Sequence, residues 1–185
     1  MFDDCFDHAM KLEGGYVDNK RDPGGATNFG ISIKYLKSLV KKRTEHKELN
    51  DVLDKIIKPI TNQSIKNLTK QDAKIIYFYD WWVRCKIQQF DHFFLCRKVF
   101  SACINMGDDR AIKLLQKSAN SLLKDEKIDE DGDIGPQTID AISGLNKDNL
   151  LDLYVLNLCD FYKNLVREKC ALSIFLDGWL KRAKD

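Results

Sequence analysis

The sequence predicts a mainly α chain, a helical bundle with a small β-hairpin or loop lining one side of a cleft. Apolar residues recur at helical spacing through most of its length. One early stretch, Asp22-Pro23-Gly24-Gly25, gathers turn residues. Capping signals stand before several of the apolar runs, as at Thr69 with Asp72 and at Asn146.

Taken in order, Phe2, Phe6, Ala9 and Met10 mark a first helix that Gly14-Gly15 ends. Asn28 to Ser32 reads as a short strand, one arm of a hairpin with Tyr16-Val17. Ile33, Leu36, Leu39 and Val40 mark a second helix. A polar segment, Thr44 to Asn50, precedes a short apolar helix that Pro59 breaks. The Thr69/Asp72 box opens a helix running through Ile76 to Trp82. Further helices are expected over Phe93 to Asn105 and from Asp109 through Leu122. After an Asp- and Gly-rich loop, Asp125 to Gly135, Pro136 suits the first position of a new helix. Asn146 caps a long helix through Leu165, and Ser173 a terminal one ending near Arg182. With no repeat or low-complexity tract, the boundary is soft and falls near Gln89. The expected organisation is a region 1–89 with the glycine-rich loop and a helical region 90–185, packed as one compact unit.

Composition narrows the function classes. Of 185 residues, 44% are hydrophobic and 31% charged, the balance of a folded globular chain. Lys and Arg number 30 against 28 Asp and Glu, a net charge of +2 that gives no argument for nucleic acid. No run approaches the ~18 apolar residues of a membrane span, so stable membrane insertion is not expected. MFDDCFDHAMKLEGG has neither a positive n-region nor a long apolar h-region, so synthesis in the cytoplasm without a signal peptide is expected. The six cysteines form no Cys-x-x-Cys pair and read as reduced, buried thiols. His8, His46 and His92 lack zinc-peptidase spacing. Asp129, Asp131, Asp133 and Asp140 imitate part of a calcium loop, but Ile134 stands where that loop needs glycine. They read as a solvated acidic turn. Neither a metal nor a cofactor is expected.

The segment with chemical content is Glu13 to Gly30, EGGYVDNKRDPGGATNFG. A carboxylate at a helix end is followed by two glycines, an Asp, a tight turn and a Thr. Glycoside hydrolysis needs a protonated carboxyl beside the leaving oxygen and a second group across the sugar to attack or to hold water. A helix end packed on aromatics would keep Glu13 protonated. Asp22, with eight residues between it and Glu13, can return across a cleft on the glycine-flanked loop. Thr27 offers a hydroxyl to orient water. Taken alone, Asp22 is equally a turn residue, and Thr27 and Asn28 equally backbone ligands of the loop.

Glu-Gly-Gly-Tyr followed by Asp-Pro-Gly-Gly-Ala-Thr-Asn-x-Gly-Ile resembles the signature of glycoside hydrolase family 108, the muramidase and "secretion activator" group. Downstream, Ile76 to Trp82, Asn105-Met106-Gly107, Leu115-Gln116, Asp131 to Thr138 and Phe175 with Gly178 to Arg182 resemble later motifs of the family and its C-terminal predicted peptidoglycan-binding region. The part around Lys41 to Asn67 is variable, and Trp81 stands where the family usually has Tyr. The resemblance implies an α+β lysozyme-like fold. It also implies an N-acetylmuramidase that cleaves the β-1,4 bond between N-acetylmuramic acid and N-acetylglucosamine. The family's catalytic Glu falls on Glu13. The order Glu, Asp, Thr is similar to phage-type lysozymes, where Asp and Thr place the nucleophilic water. The catalytic candidates are therefore Glu13, Asp22 and Thr27.

Aromatic faces suit the apolar face of a pyranose, so Tyr16 and Trp82 are taken as substrate contacts together with Asn28, Asn105 and Gln116. Trp81 and Trp179 are divided between stacking on sugar and core packing. The expected partner is the peptidoglycan glycan strand, reached in the periplasm or wall after release by a holin or dedicated export system, by a monomeric chain. The rival reading is a catalytically inactive lysozyme-like module that binds peptidoglycan or a secretion partner.

Overall fold

Helix α1 (Phe2–Leu12) forms because its apolar residues share one face, with acidic Asp3 and Asp4 in its first turn and Lys11 in its last. That face buries Cys5, Phe6 and Ala9. Phe6 packs on Tyr77 at 5.9 Å between ring centroids, and Phe2 meets Trp82 edge-on at 5.4 Å. Burying each such ring stabilises the fold by roughly 1.5–3 kcal/mol. The computed structural model describes residues 1–12, 15–18, 25–42, 44–56 and 58–185. It is mainly α with one small antiparallel sheet. It divides into two units, Met1–Arg84 and Cys85–Asp185.

In the first unit the sheet consists of β1 (Thr27–Asn28) and β2 (Ile31–Ser32), with Thr27 opposite Ser32 and Asn28 opposite Ile31. The stretch expected to be a single strand is thus itself a hairpin. Phe29 and Gly30 both take positive φ, 50° and 75°, which makes the tight two-residue reversal. Val17 joins as an isolated bridge to Thr27. Ser32 then caps α2 (Ile33–Leu39) by accepting from the Tyr35 amide at 3.2 Å.

Helix α3 (Lys47–Lys55) buries Leu49, Val52 and Leu53, and starts inside the segment read as polar linker because its core positions are four residues apart or fewer. The short α4 (Asn62–Lys66) had no sequence signal beyond one buried residue, Ile65. Thr69 and Asp72 form the expected capping box on α5 (Lys70–Tyr77), with bonds of 3.1 and 3.0 Å. The helix does not continue regularly to Trp82. It widens into a π-helical turn, Phe78–Val83, which packs aromatic residues of the Phe78-Tyr79-Asp80-Trp81-Trp82 run in several directions.

The second unit begins with a 3-10 turn, Ile87–Gln89, and packs α6 (Phe93–Met106), α7 (Asp108–Leu122) and α9 (Lys147–Glu168) against one another. Gly107, at φ +88°, separates α6 from α7. Pro136 opens α8 (Pro136–Ser143) as expected, and Asn146 caps α9 through the Asn149 amide at 2.9 Å. A 3-10 segment, Cys170–Phe175, occupies the position where Ser173 was expected to cap, and α10 (Leu176–Lys184) follows it against α9. Tyr154 is fully buried, its hydroxyl donating to Ala111 O at 3.0 Å. None of the six cysteines forms a disulfide, and only Cys170 is exposed. Among the described residues no helix is long and apolar enough to cross a membrane.

Candidate active site

The hairpin region is fixed from both sides by backbone. The amides of Val17 and Thr27 each donate to the other's carbonyl at 2.8 Å. This pair sets residue 17 beside residue 27. Glu13 and Asp22 themselves lie outside the described residues. Gly25 completes the return at φ +74°, and a β-carbon there would meet Ile33 Cγ2 at 2.6 Å. The Ile33 amide reaches back to Ala26 O at 2.8 Å. A side chain at residue 25 would push the loop off the start of α2.

Asn28 holds this hairpin to the rest of the unit. It is buried, and its amide donates to Ile65 O at 3.1 Å and to Leu68 O at 3.3 Å. These are the carbonyls at the end of α4 and just beyond it. Tyr77 adds a third tie, its hydroxyl donating to Phe29 O at 3.0 Å. Thr27, half-buried on the same strand, only donates its hydroxyl to Gly25 O at 3.2 Å and retains its lone pairs. Adjacent residues of a strand face opposite ways, so Asn28 points to the core while Thr27 keeps the outer face.

Tyr16 stands on that accessible edge and is 38% exposed. Lys66 Nζ lies 6.0 Å from its ring centroid. Partial desolvation, and then the Asp18 carboxylate beside its hydroxyl, raise its pKa above the ordinary phenol value. Asp18 in turn accepts from Asn62 Nδ2 at 2.9 Å. Tyr16, Asp18, Asn62 and Lys66 thus form a polar surface beside the hairpin. Of these, sequence reasoning found only Tyr16. The others are separated from it by up to 50 residues and carry no local pattern.

Trp82 is buried at 4% exposure and lies in the aromatic core against Phe2. Its expected sugar contact gives way to packing, because the π turn rotates it inward. Trp81 remains half-buried, with its ring 4.7 Å from Tyr35 and 4.8 Å from Tyr77. The Tyr35 hydroxyl donates to Asp80 Oδ2, and Arg84 Nε lies 3.3 Å from Asp80 Oδ1. Burial and then the Asp80 charge push the Tyr35 phenol far above its usual pKa, so it stays a donor at any working pH.

In the second unit Gln116 is fully buried. The two hydrogens of its Nε2 are shared among Asp131 Oδ1 at 2.8 Å, Asp133 O at 2.9 Å and Thr138 Oγ1 at 3.2 Å, and its Oε1 accepts from the Gly132 amide at 2.9 Å. No polar atom remains for a substrate, so Gln116 braces the acidic loop. Asp131, held mainly by the Asp133 amide and then by Gln116, has its pKa lowered. Asn105 accepts from Arg182 Nη1 at 2.7 Å, tying α6 to α10. Trp179 stacks between Tyr162 at 5.1 Å and Phe175 at 5.7 Å. Among the described residues no cluster of three or more His, Cys, Asp or Glu could hold a metal ion.

The glycosyl hydrolase 108 model matches residues 6–107, which include the whole hairpin region. The chain belongs to the glycosyl hydrolase 108 family. A second model, described as a predicted peptidoglycan domain, matches residues 110–184 of this family member. The solved structure of Brucella abortus SagA is similar to it, with 27% identity over 99% of this chain and 89% of that chain, and a TM-score of 0.77. No curated protein matches. The resemblance drawn from the motifs is thereby borne out for family and fold. This glycosyl hydrolase 108 chain combines a glycosidase region with a peptidoglycan-type one.

Proposed function

We propose that the protein is an N-acetylmuramidase that hydrolyses the β-1,4 bond between N-acetylmuramic acid and N-acetylglucosamine in peptidoglycan. Glu13 protonates the glycosidic oxygen. Asp22, assisted by the Thr27 hydroxyl, positions the water, and Tyr16 meets the sugar. The observation that carries this reading is the Val17–Thr27 bridge, which holds a residue four positions beyond Glu13 in sequence against one five positions beyond Asp22. Two reacting groups on separate pieces of backbone must be held together in this way for acid and base to act on one bond. The tie through Asn28 keeps that edge rigid, and the acid–base chemistry needs no metal or cofactor. Asn105 supports the wall-binding region through Arg182. The enzyme acts in the periplasm or wall after release by a holin or an export route.

The test is clearing of purified cell walls by the native chain and by Glu13→Gln. The expected result is clearing by the native chain and a loss of roughly 10²–10⁴-fold in the variant, the usual contribution of a general acid. Equal clearing by both removes Glu13 from the mechanism. Clearing by neither leaves a wall-binding module.

A further inference from the structure

A groove of about 410 Å³ in the first unit is used by none of the chemistry above. Its floor includes the buried side chains of Val52 and Leu68, and its rim includes Lys55, Gln63, Asn67 and Asp72. It is built mostly from the segment between Lys41 and Asn67, outside the motifs of the hairpin region.

We infer that this groove binds a short peptide carrying both a carboxylate and an amine, which on a wall glycan is the stem peptide of the muramic acid. The inference rests on the peptidoglycan reading above. Three observations define the occupant. Gln63 Nε2 donates to Asn67 Oδ1 at 2.7 Å, and this leaves Gln63 Oε1 as an acceptor and Asn67 Nδ2 as a donor on the exposed rim. One acceptor beside one donor is the complement of a peptide group.

The charges of the rim are also of two signs. Lys55 is exposed and makes no ion pair among the described residues, so its ammonium suits a carboxylate. Asp72 engages Oδ2 with the amide and hydroxyl of Thr69 and keeps Oδ1 for an amine. A neutral sugar would need neither charge. A stem peptide has both a free carboxylate and, where its third residue is a diamino acid, a free amine.

The third observation is position. Helix α4 separates the groove from the hairpin surface. Asn62 and Lys66 face Asp18 and Tyr16, while Gln63 and Asn67 face the groove. Each pair is spaced by one turn. A helix is about 10–12 Å across, and an extended peptide covers about 3.3–3.6 Å per residue. Three or so stem residues therefore span from a sugar at Tyr16 to the groove.

The test titrates the whole chain with the synthetic tripeptide N-acetyl-L-alanyl-γ-D-glutamyl-L-lysine, followed by amide chemical shifts. Saturable binding is expected, with shifts at Lys55, Gln63 and Asn67. It should weaken about tenfold in Lys55→Glu and in the Gln63→Ala, Asn67→Ala double variant. These side chains are exposed, so the fold survives. Absence of saturation, or equal affinity in Lys55→Glu, overturns the inference. A second arm compares cleavage of glycan strands with and without their peptides. The native chain should cut peptide-bearing strands about tenfold faster, and Lys55→Glu should lose that preference while cutting stripped strands unchanged. Equal rates of the native chain on both strands overturn the groove and leave the muramidase intact. Cleavage of neither removes the muramidase, and the titration still decides the groove.

Discussion

Both units hang a loop on one buried amide side chain, and they use it differently. In the first, Asn28 donates to two backbone carbonyls and secures the hairpin, while its neighbour Thr27 and nearby Tyr16 keep polar surface exposed. In the second, Gln116 closes the acidic loop with four hydrogen bonds and is sealed from solvent. The difference teaches where chemistry can reside. A polar group is available to a substrate only after the backbone around it has been satisfied by something else.

Breaking the brace in the second unit should have the largest effect on stability. Gln116→Leu takes the acceptor from the half-buried Gly132 amide and a donor from Asp131, Asp133 O and the buried Thr138 hydroxyl. Four hydrogen bonds at about 0.5–1.5 kcal/mol each are lost, so urea denaturation should show a loss of roughly 3 kcal/mol. Any activity that remains per folded molecule should be nearly native. The corresponding change in the first unit, Asn28→Ala, should cost less, about 1–2 kcal/mol for two lost bonds to carbonyls. Its wall-clearing rate should nonetheless fall further than the folded fraction does, because the hairpin loses its anchor. An activity loss that merely follows unfolding would erase the contrast between the two amides.

Lys98 sharpens the picture of the second unit. It is 7% exposed and donates to the carbonyls of Arg182 and Ala183 at the end of α10. Burial, and then the nearby Arg97 charge, pull its pKa down to about 8. Between about pH 8 and the ordinary lysine value the unfolded chain therefore binds more protons than the folded one. Stability contributed at this site should rise as pH increases through that window, and be constant below it. The difference in unfolding free energy between native and Lys98→Met across pH 7 to 11 isolates this slope from titrating tyrosines. The smallest effect belongs to Tyr16→Ala, which should leave the melting temperature within about 1–2 °C while raising the KM for wall fragments. Its ring is on the surface, and surface substitutions rarely move stability by more than ~0.5 kcal/mol.

Much of the fold was legible because it rests on local signals. The capping box at Thr69, Pro136 at a helix start and Asn146 at the head of α9 each act within one turn. The hairpin was placed one arm too far out, because Phe29 at positive φ is a conformation that sequence assigns to glycine or asparagine. The π turn after Tyr77 likewise gives no compositional sign, so the inward rotation of Trp82 could not be read. In the hairpin region, Tyr16 and Thr27 stand out in the sequence through a short contiguous motif. Asp18, Asn62 and Lys66 beside them were not, since only tertiary folding brings α4 to the hairpin. Gln116 and Asn28 read as substrate contacts in the sequence because a buried amide and a binding amide look alike in one dimension.

The central claim is that Glu13 delivers a proton to the oxygen that links N-acetylmuramic acid to the next sugar. Reduction of the fragments released from purified peptidoglycan, followed by mass analysis of their new reducing ends, tests it most directly. The account predicts N-acetylmuramic acid at every new reducing end, with none formed by Glu13→Gln. N-acetylglucosamine at those ends, or intact glycan with cleaved peptides, would contradict it.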